Sequence, residues 1–370
     1  MPHAGLSAHA YAEHAPVLPH GDPATDVYFD VGKRVVAVDC DTRAGAAFLA
    51  ELIGGADVLI TSLPPAAAQH VGLDAERIRA AHPSLVYLAA TPFGLTGPLA
   101  DAPATDLTTL AAGGFLSLSG NDRGDPVRPF GDQSALMAAL HAWVAVLVAL
   151  LARDSSGEGA LVDVSAQQAV VHSLENAIQY YDLEGVVRSP RGSAPMEAGT
   201  GIYPSKDGYV YIVGGMAGTA LGWSRLAAWM TSADDAFAGL NDERWSDSAF
   251  RTSARGIAEF AELFERFAGG RTRAALYDEG QTFGVSICPM LAPSELAANP
   301  QLVARGYFDP VVTRRGDTVL MPGSPLRVET DAPVADAGSR ETSWLHELGK
   351  WTDLEPSQIE ALIAVGAVRL

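Results

Sequence analysis

Apolar and polar positions fall into short alternating blocks over the first half of the chain. Residues 34–39 are apolar and β-branched between polar flanks, which predicts a buried strand. Residues 44–54 are rich in Ala and Leu and end in Gly54-Gly55, a helix with its C-cap. The pattern then predicts a strand at 56–60, a short helix at 74–81 and a third strand at 84–88. Short apolar strands separated by amphipathic helices predict a parallel sheet covered on both faces. Further on come a helical segment at 106–115 and a polar loop at 120–125. A long apolar run at 135–152 predicts a buried helix, followed by a strand at 161–164 and a helix to about Leu183.

The character changes after residues 188–198, a polar stretch containing Pro and Gly. Residues 201–213 read as a β-hairpin, with Asp207-Gly208 supplying the turn. The hairpin runs into Gly214-Gly215-Met216-Ala217-Gly218, a small flexible loop. Helices to about Tyr277, a strand at 285–291 and a helix at 294–305 follow. The chain end, 342–370, is helical, with Asp353 and Pro356 marking a new helix start. The expected fold is α/β. A loose arm (1–27) precedes a large Rossmann-like parallel-sheet domain (28–187). A linker (188–199) leads to a smaller α+β domain (200–310), and the last segment (311–370) returns to the large domain.

Composition narrows the function. Apolar residues make up 48% of the 370, ample for a core, and the net charge is −19. An acidic surface repels nucleic acid and anionic membranes, so neither is expected as a partner. An anionic small molecule remains open, because helix N-termini bind anions locally. Cys40 and Cys288 are too few and too distant for a disulfide framework, which suggests a reducing compartment and a cytoplasmic protein. Residues 1–22 lack the basic start and apolar core of a signal peptide. The run at 135–152 carries His141 and follows Asp132, so it reads as a core helix rather than a membrane span. Dinucleotide, P-loop, nucleophile-elbow and zincin motifs are absent. His3, His9, His14 and His20 lie in the N-terminal arm, where a metal role is the weaker alternative to histidines of a loose tail.

Candidate chemistry centres on Asp132, one glycine after Phe130 and directly before the apolar helix. A helix N-terminus favours an anionic side chain there. Such a carboxylate either caps the helix or attacks an activated acyl group. Asp106, also ahead of a helical segment, reads locally as a cap. The turn Phe93-Gly94-Leu95-Thr96-Gly97-Pro98 lies beyond a strand's C-terminal end, where open α/β sheets bind ligands. Gly214-Gly215 either closes a strand or lets backbone approach a ligand and move.

Taken in order, Gly-Lys-Arg-Val-Val-Ala-Val-Asp (32–39), Ala-Asp-Val-Leu-Ile (56–60), the 93–98 turn and Gly131-Asp132 form one succession. Asp-Val-Ser (163–165), Gly-Ile-Tyr-Pro-Ser-Lys-Asp-Gly-Tyr-Val (201–210), Asn-Pro-Gln-Leu-Val-Ala-Arg-Gly-Tyr-Phe (299–308) and Pro-Gly-Ser-Pro-Leu-Arg (322–327) complete it. From about Gly32 onward the chain resembles the family III CoA transferases, the CaiB/BaiF family. The resemblance implies that Asp132 is a nucleophile, attacking an acyl-CoA carbonyl and passing through an aspartyl-CoA thioester to a carboxylic acid acceptor. It gives Lys33, Ser62, Leu63, His70, Phe93, Gly94 and Asp106 to the CoA site, and Gly214 and Gly215 to a lid. It implies coenzyme A as substrate, no resident metal or redox cofactor, and an interlocked homodimer.

The match departs from the family at the front. The longer opening segment of the family is replaced by the arm before Val27. Its Glu-Asn-Phe is Thr61-Ser62-Leu63, its Arg-Pro-Gly is Pro64-Pro65-Ala66, and a basic position is His70. A reduced CoA handle suggests a second reading, a partner-dependent or non-catalytic subunit paired with a longer homologue. The racemase branch, a third reading, has a histidine where this chain has Thr105 and a glutamate where it has Met216 or Ala217. Lacking one of two proton-transfer groups, the chain is expected to transfer CoA rather than racemise.

Overall fold

The computed structural model describes residues 6–11, 28–29, 33–121, 124–190, 192, 195–215, 222–312, 318–327 and 344–369. Strand β1 (Leu6–Tyr11) pairs in parallel with β2 (Arg34–Asp39), Leu6 opposite Arg34 and Tyr11 opposite Asp39. These residues were expected to lie in a loose arm. Leu6, Ala8 and Ala10 alternate with Ser7 and His9, but Ala and His give a weak strand signal, and the edge of β2 supplies the backbone partners that order them. On the other edge of β2 runs the short strand Val368–Arg369, antiparallel.

Helix α1 (Arg43–Gly54) follows β2 and is capped by Thr42, whose side chain accepts the Gly45 N–H. A second three-stranded sheet is parallel throughout: β3 (Val58–Thr61), β4 (Val86–Thr91) and β5 (Leu161–Ser165), in that order. The expected single sheet is therefore two. One core joins them: Val36 and Val38 of β2, Phe48 and Leu52 of α1, and Tyr87 and Ala89 of β4 are buried together. Leu348, Ile359 and Val368 from the chain end complete that core. The Tyr87 hydroxyl, donating to the Leu73 carbonyl at 2.6 Å, is pushed up to about 12 by burial.

On the opposite face of β4 and β5 lies helix α6 (Gln133–Ser156), preceded by α2 (Pro65–His70), α3 (Ala75–Ala81), α4 (Asp106–Ala112) and α5 (Phe115–Leu118). Ala138, Ala142, Val146 and Ala149 of α6 bury against Val86, Leu88 and Val164. Small side chains let the helix sit close to the sheet. Its large side chains point the other way: Leu140, Trp143, Val144, Val148 and Leu151 are 54–70% exposed. The expectation of a wholly buried helix is corrected to one buried stripe and one bare apolar face. By length and composition alone, α6 is also long and apolar enough to cross a membrane.

Helix α7 (Ala166–His172) and α8 (Ala177–Glu184) replace the single helix expected to reach Leu183, with Glu175 at φ 53° between them. The remaining core belongs to an antiparallel sheet of β6 (Thr200–Ser205), β7 (Gly208–Val213) and β8 (Ser286–Pro289). Tyr203, Trp229, Trp245, Phe260, Phe264 and Phe267 fill it, with Trp223 stacked on Trp245 at 4.7 Å between ring centroids. The helix expected at 294–305 is split, because Asn299 caps a new turn that opens with Pro300.

Candidate functional site

The first turn of α6 defines the site. Gly131 holds φ 80°, a left-handed conformation that excludes an ordinary side chain at little cost only for glycine. The Gln133 side-chain amide donates to the Phe130 carbonyl at 2.7 Å and closes the turn. Phe130 is 98% exposed beside Asp132. Asp132 occupies the N-cap position with φ −96° and ψ 71°, yet its side chain makes no capping hydrogen bond. Its carboxylate is exposed.

The capping is done by another helix. Asp106 Oδ1 accepts both the Ser134 N–H and the Ser134 hydroxyl, each at 2.7 Å. Asp106 is fixed in turn by the capping box of α4, in which Thr105 accepts the Thr108 N–H and Thr108 Oγ1 accepts the Thr105 N–H. Asp106 Oδ2 is buried without a hydrogen-bond partner. Asp106, expected at the CoA site, thus faces the root of α6.

The loops after β3 and β4 form a second cluster at the C-terminal edge of the parallel sheet. Exposed Ser62 and half-buried Leu63 follow β3, with the Leu63 N–H donating to Thr61 Oγ1 at 3.1 Å. Half-buried Phe93 and buried Gly94 follow β4, where the Gly94 N–H donates to Thr91 Oγ1 at 2.8 Å. Asp101 accepts the Ala66 N–H at 2.7 Å and links the two loops. Asp163 accepts the Leu95 N–H and ties β5 to the same edge. Sequence reading brought these loops together but gave no role to Asp101, Asp163 or Ser134. Asp163 stood within a recognised motif, whereas Asp101 and Ser134 carry no local signal.

His70 lies at the end of α2 and meets Asp41 at 3.2 Å, both side chains exposed. Lys33 is exposed ahead of β2. Gly214 and Gly215 sit apart in the aromatic half of the molecule, both buried. The Gly214 N–H donates to the Gly199 carbonyl at 2.7 Å, and Arg251 Nη1 donates to the Gly215 carbonyl at 2.6 Å. A Cβ on Gly214 would lie 2.7 Å from Leu226, and one on Gly215 would lie 3.1 Å from both Trp223 and Arg251. A side chain at either position would have to displace these neighbours, and both glycines form held backbone here. Met216, Ala217 and Gly218 of the same loop lie outside the described residues. Arg251, buried against this backbone, went unremarked in the sequence because nothing local marks a helical arginine as internal. Among the described residues no group of three His, Cys, Asp or Glu is arranged to hold a metal ion.

Comparison with known proteins adds a family match. Residues 10–337 fit the model for CoA-transferase family III. The chain is 38% identical over 305 residues to succinyl-CoA:(R)-benzylsuccinate CoA-transferase subunit BbsE of Thauera aromatica, covering 81% of this chain and 73% of that one. It is 29% identical to the succinyl-CoA–D-citramalate CoA-transferase of Chloroflexus aurantiacus, covering 75% and 68%. Among solved structures it matches a CaiB/BaiF family protein from Brucella suis with a TM-score of 0.65 and 25% identity, covering 80% and 79%. Rv3272 of Mycobacterium tuberculosis shares the fold at a TM-score of 0.70 and 21% identity, covering 89% and 86%.

The cap exchange makes a prediction about stability. Asp132→Ala should change the unfolding free energy by less than about 0.5 kcal/mol, where loss of a working cap costs about 1 kcal/mol. Asp106→Ala should cost about 1–3 kcal/mol, because it strands the buried Ser134 hydroxyl and breaks the link between the two helices. Urea unfolding of the two variants checks this, and equal losses would contradict the assignment of the cap.

Proposed function

The chain belongs to CoA-transferase family III, and from that premise we propose that it moves CoA from an acyl-CoA thioester to a carboxylic acid with Asp132 as the nucleophile. The observation that carries this reading is the exposed, uncapping carboxylate at the head of α6. An Asp132 oxygen attacks the thioester carbonyl, the C–S bond breaks, and a mixed anhydride and CoA thiolate result. The thiolate then attacks the aspartyl carbonyl, releasing the donor acid with the bridging oxygen and leaving aspartyl-CoA. The acceptor carboxylate attacks that thioester, and the returning thiolate takes the acceptor acyl group and restores Asp132. Each intermediate is an activated acyl group, so one difficult exchange becomes a series of easier ones.

Several relatives carry succinyl-CoA in their names, and the 38%-identical one names benzylsuccinate. The donor proposed here is succinyl-CoA, and the acceptor is a substituted dicarboxylate. Exposed Phe130 beside Asp132 offers an apolar surface to such a substituent. The CoA contacts proposed are Lys33, Ser62, Leu63, His70, Phe93 and Gly94, the loop residues clustering at the sheet edge where α/β folds bind ligands. Gly214 and Gly215 are assigned to screening the acyl intermediate from water, as backbone held by Gly199 and Arg251. Racemisation is disfavoured, since Thr105 takes the place of a base and its hydroxyl is engaged with Thr108.

The bare face of α6 supports assembly. Leu140, Trp143, Val144, Val148 and Leu151 are proposed to be covered by a second copy of this chain, in a reducing cytoplasm that leaves Cys40 and Cys288 as thiols. Some relatives are named as subunits, so a longer homologue is the alternative occupant. Sedimentation should show a dimer that Leu140→Glu/Val148→Glu dissociates. A monomeric wild type would refute the homodimer, and a wild type that pairs only with a longer homologue would favour the heteromer.

The catalytic claim is tested by steady-state transfer from succinyl-CoA to benzylsuccinate or citramalate. Asp132→Ala and Asp132→Asn should lower kcat by roughly a thousandfold or more. Hydroxylamine added with succinyl-CoA should convert Asp132 to a hydroxamate visible by peptide mass spectrometry. Retained transfer in Asp132→Ala would sink the mechanism.

A further inference from the structure

An aspartate at the N-cap ordinarily accepts a hydrogen bond from the N–H of the second or third helical residue. In α6 the second residue is Ser134, and its N–H is taken by Asp106 Oδ1. The Ser134 hydroxyl falls on the same oxygen, while Asp106 Oδ2 stays buried and unpartnered. A carboxylate chosen for stability alone would share its donors between both oxygens, since a buried polar atom without a partner is costly. The geometry points to a positioning role. We propose that Asp106, by occupying the Ser134 N–H, prevents Asp132 from collapsing into an ordinary cap and so holds the Asp132 carboxylate out toward substrate. This rests on the reading of Asp132 as nucleophile.

The support is a relay of caps across two helices. Thr105 and Thr108 lock each other at the start of α4, which fixes the direction of Asp106 at the first helical position. Asp106 grips the first turn of α6 at Ser134. On the other side, the Gln133 amide holds the Phe130 carbonyl. The Ser134 N–H, the Ser134 hydroxyl and the Gln133 amide, three donors close to Asp132 in the chain, are thus engaged elsewhere. Removing the Asp106 carboxylate frees the Ser134 N–H, and the acceptor two residues before it is Asp132 itself. The helix would keep a cap, and the enzyme would lose its nucleophile.

The test follows the rate at which succinyl-CoA and hydroxylamine modify Asp132, with CoA binding measured in parallel by calorimetry. Asp106→Ala should slow modification about 10- to 100-fold, as expected when a reacting group is misplaced, with the Kd for CoA nearly unchanged. Asp106→Asn keeps an acceptor oxygen for Ser134 and should restore most of the wild-type rate. A merely structural Asp106 would not show this: slow reaction would track thermal stability, and the buried amide of Asp106→Asn would hurt as much as alanine. Wild-type modification rates in Asp106→Ala, or an Asp106→Asn as slow as Asp106→Ala, would overturn the proposal. Should Asp106→Ala fail to fold, Asp106→Ser, which keeps a polar group but withdraws it from the Ser134 N–H, decides: slower modification at unchanged Tm supports the positioning role, and an unchanged rate overturns it. A wild type that never carries an adduct refutes the nucleophile reading beneath it. An adduct that forms at full speed without Asp106 refutes only the positioning.

Discussion

The first N–H groups of a helix have no partner within it, and something must accept them. At the head of α6 that acceptor comes from a different helix, as Asp106 reaches across from α4 to Ser134. Everything notable about the site follows from this one contact. It orients the root of α6, couples α4 to the sheet-bound helix, and leaves the Asp132 side chain without a structural duty. A single change of hydrogen-bond partner thus separates the two roles that an aspartate in this position can play.

The rest of the fold supports that contact from behind. Alanines and valines on one stripe of α6 bring it close to β4 and β5, so its N-terminus is anchored to the most deeply buried strand of the sheet. The same spacing leaves its bulky residues on the outer face. One helix therefore carries the proposed nucleophile at its tip and the proposed assembly surface along its length, which would make catalysis sensitive to pairing of the chains. The aromatic half is organised differently, around Trp229, Phe260 and Phe264, and presents Gly214 and Gly215 as held backbone.

Much of the architecture was legible in the residues because its signals are local. The apolar block at 34–39 is a strand with those bounds, and a hairpin closes where expected, although its two turn residues are Lys206 and Asp207 and Gly208 opens the second strand. The order of motifs pointed to the family, and residues 10–337 fit it. What was hidden depends on distant partners. A helix apolar on all sides does not reveal which face meets the sheet, so the exposed stripe of α6 could not be foreseen. The strand at Leu6–Tyr11 exists through pairing with β2. The close packing around Gly214 and Gly215 comes from Leu226, Trp223 and Arg251, not from the loop itself. Whether Asp132 caps its helix was not legible locally, because the oxygen that takes the Ser134 N–H belongs to a residue on another helix.

The central claim is that an oxygen of Asp132 takes part in the exchange. In the proposed sequence the acceptor carboxylate leaves one of its oxygens on the aspartate each time the enzyme turns over. The most direct measurement supplies the acceptor acid labelled with heavy oxygen in its carboxylate, allows several turnovers from succinyl-CoA, and weighs the peptides of the protein. The account predicts label in the peptide containing Asp132 and in no other carboxylate. Transfer that proceeds with an unlabelled protein would show that CoA passes between substrates without Asp132, and would contradict it.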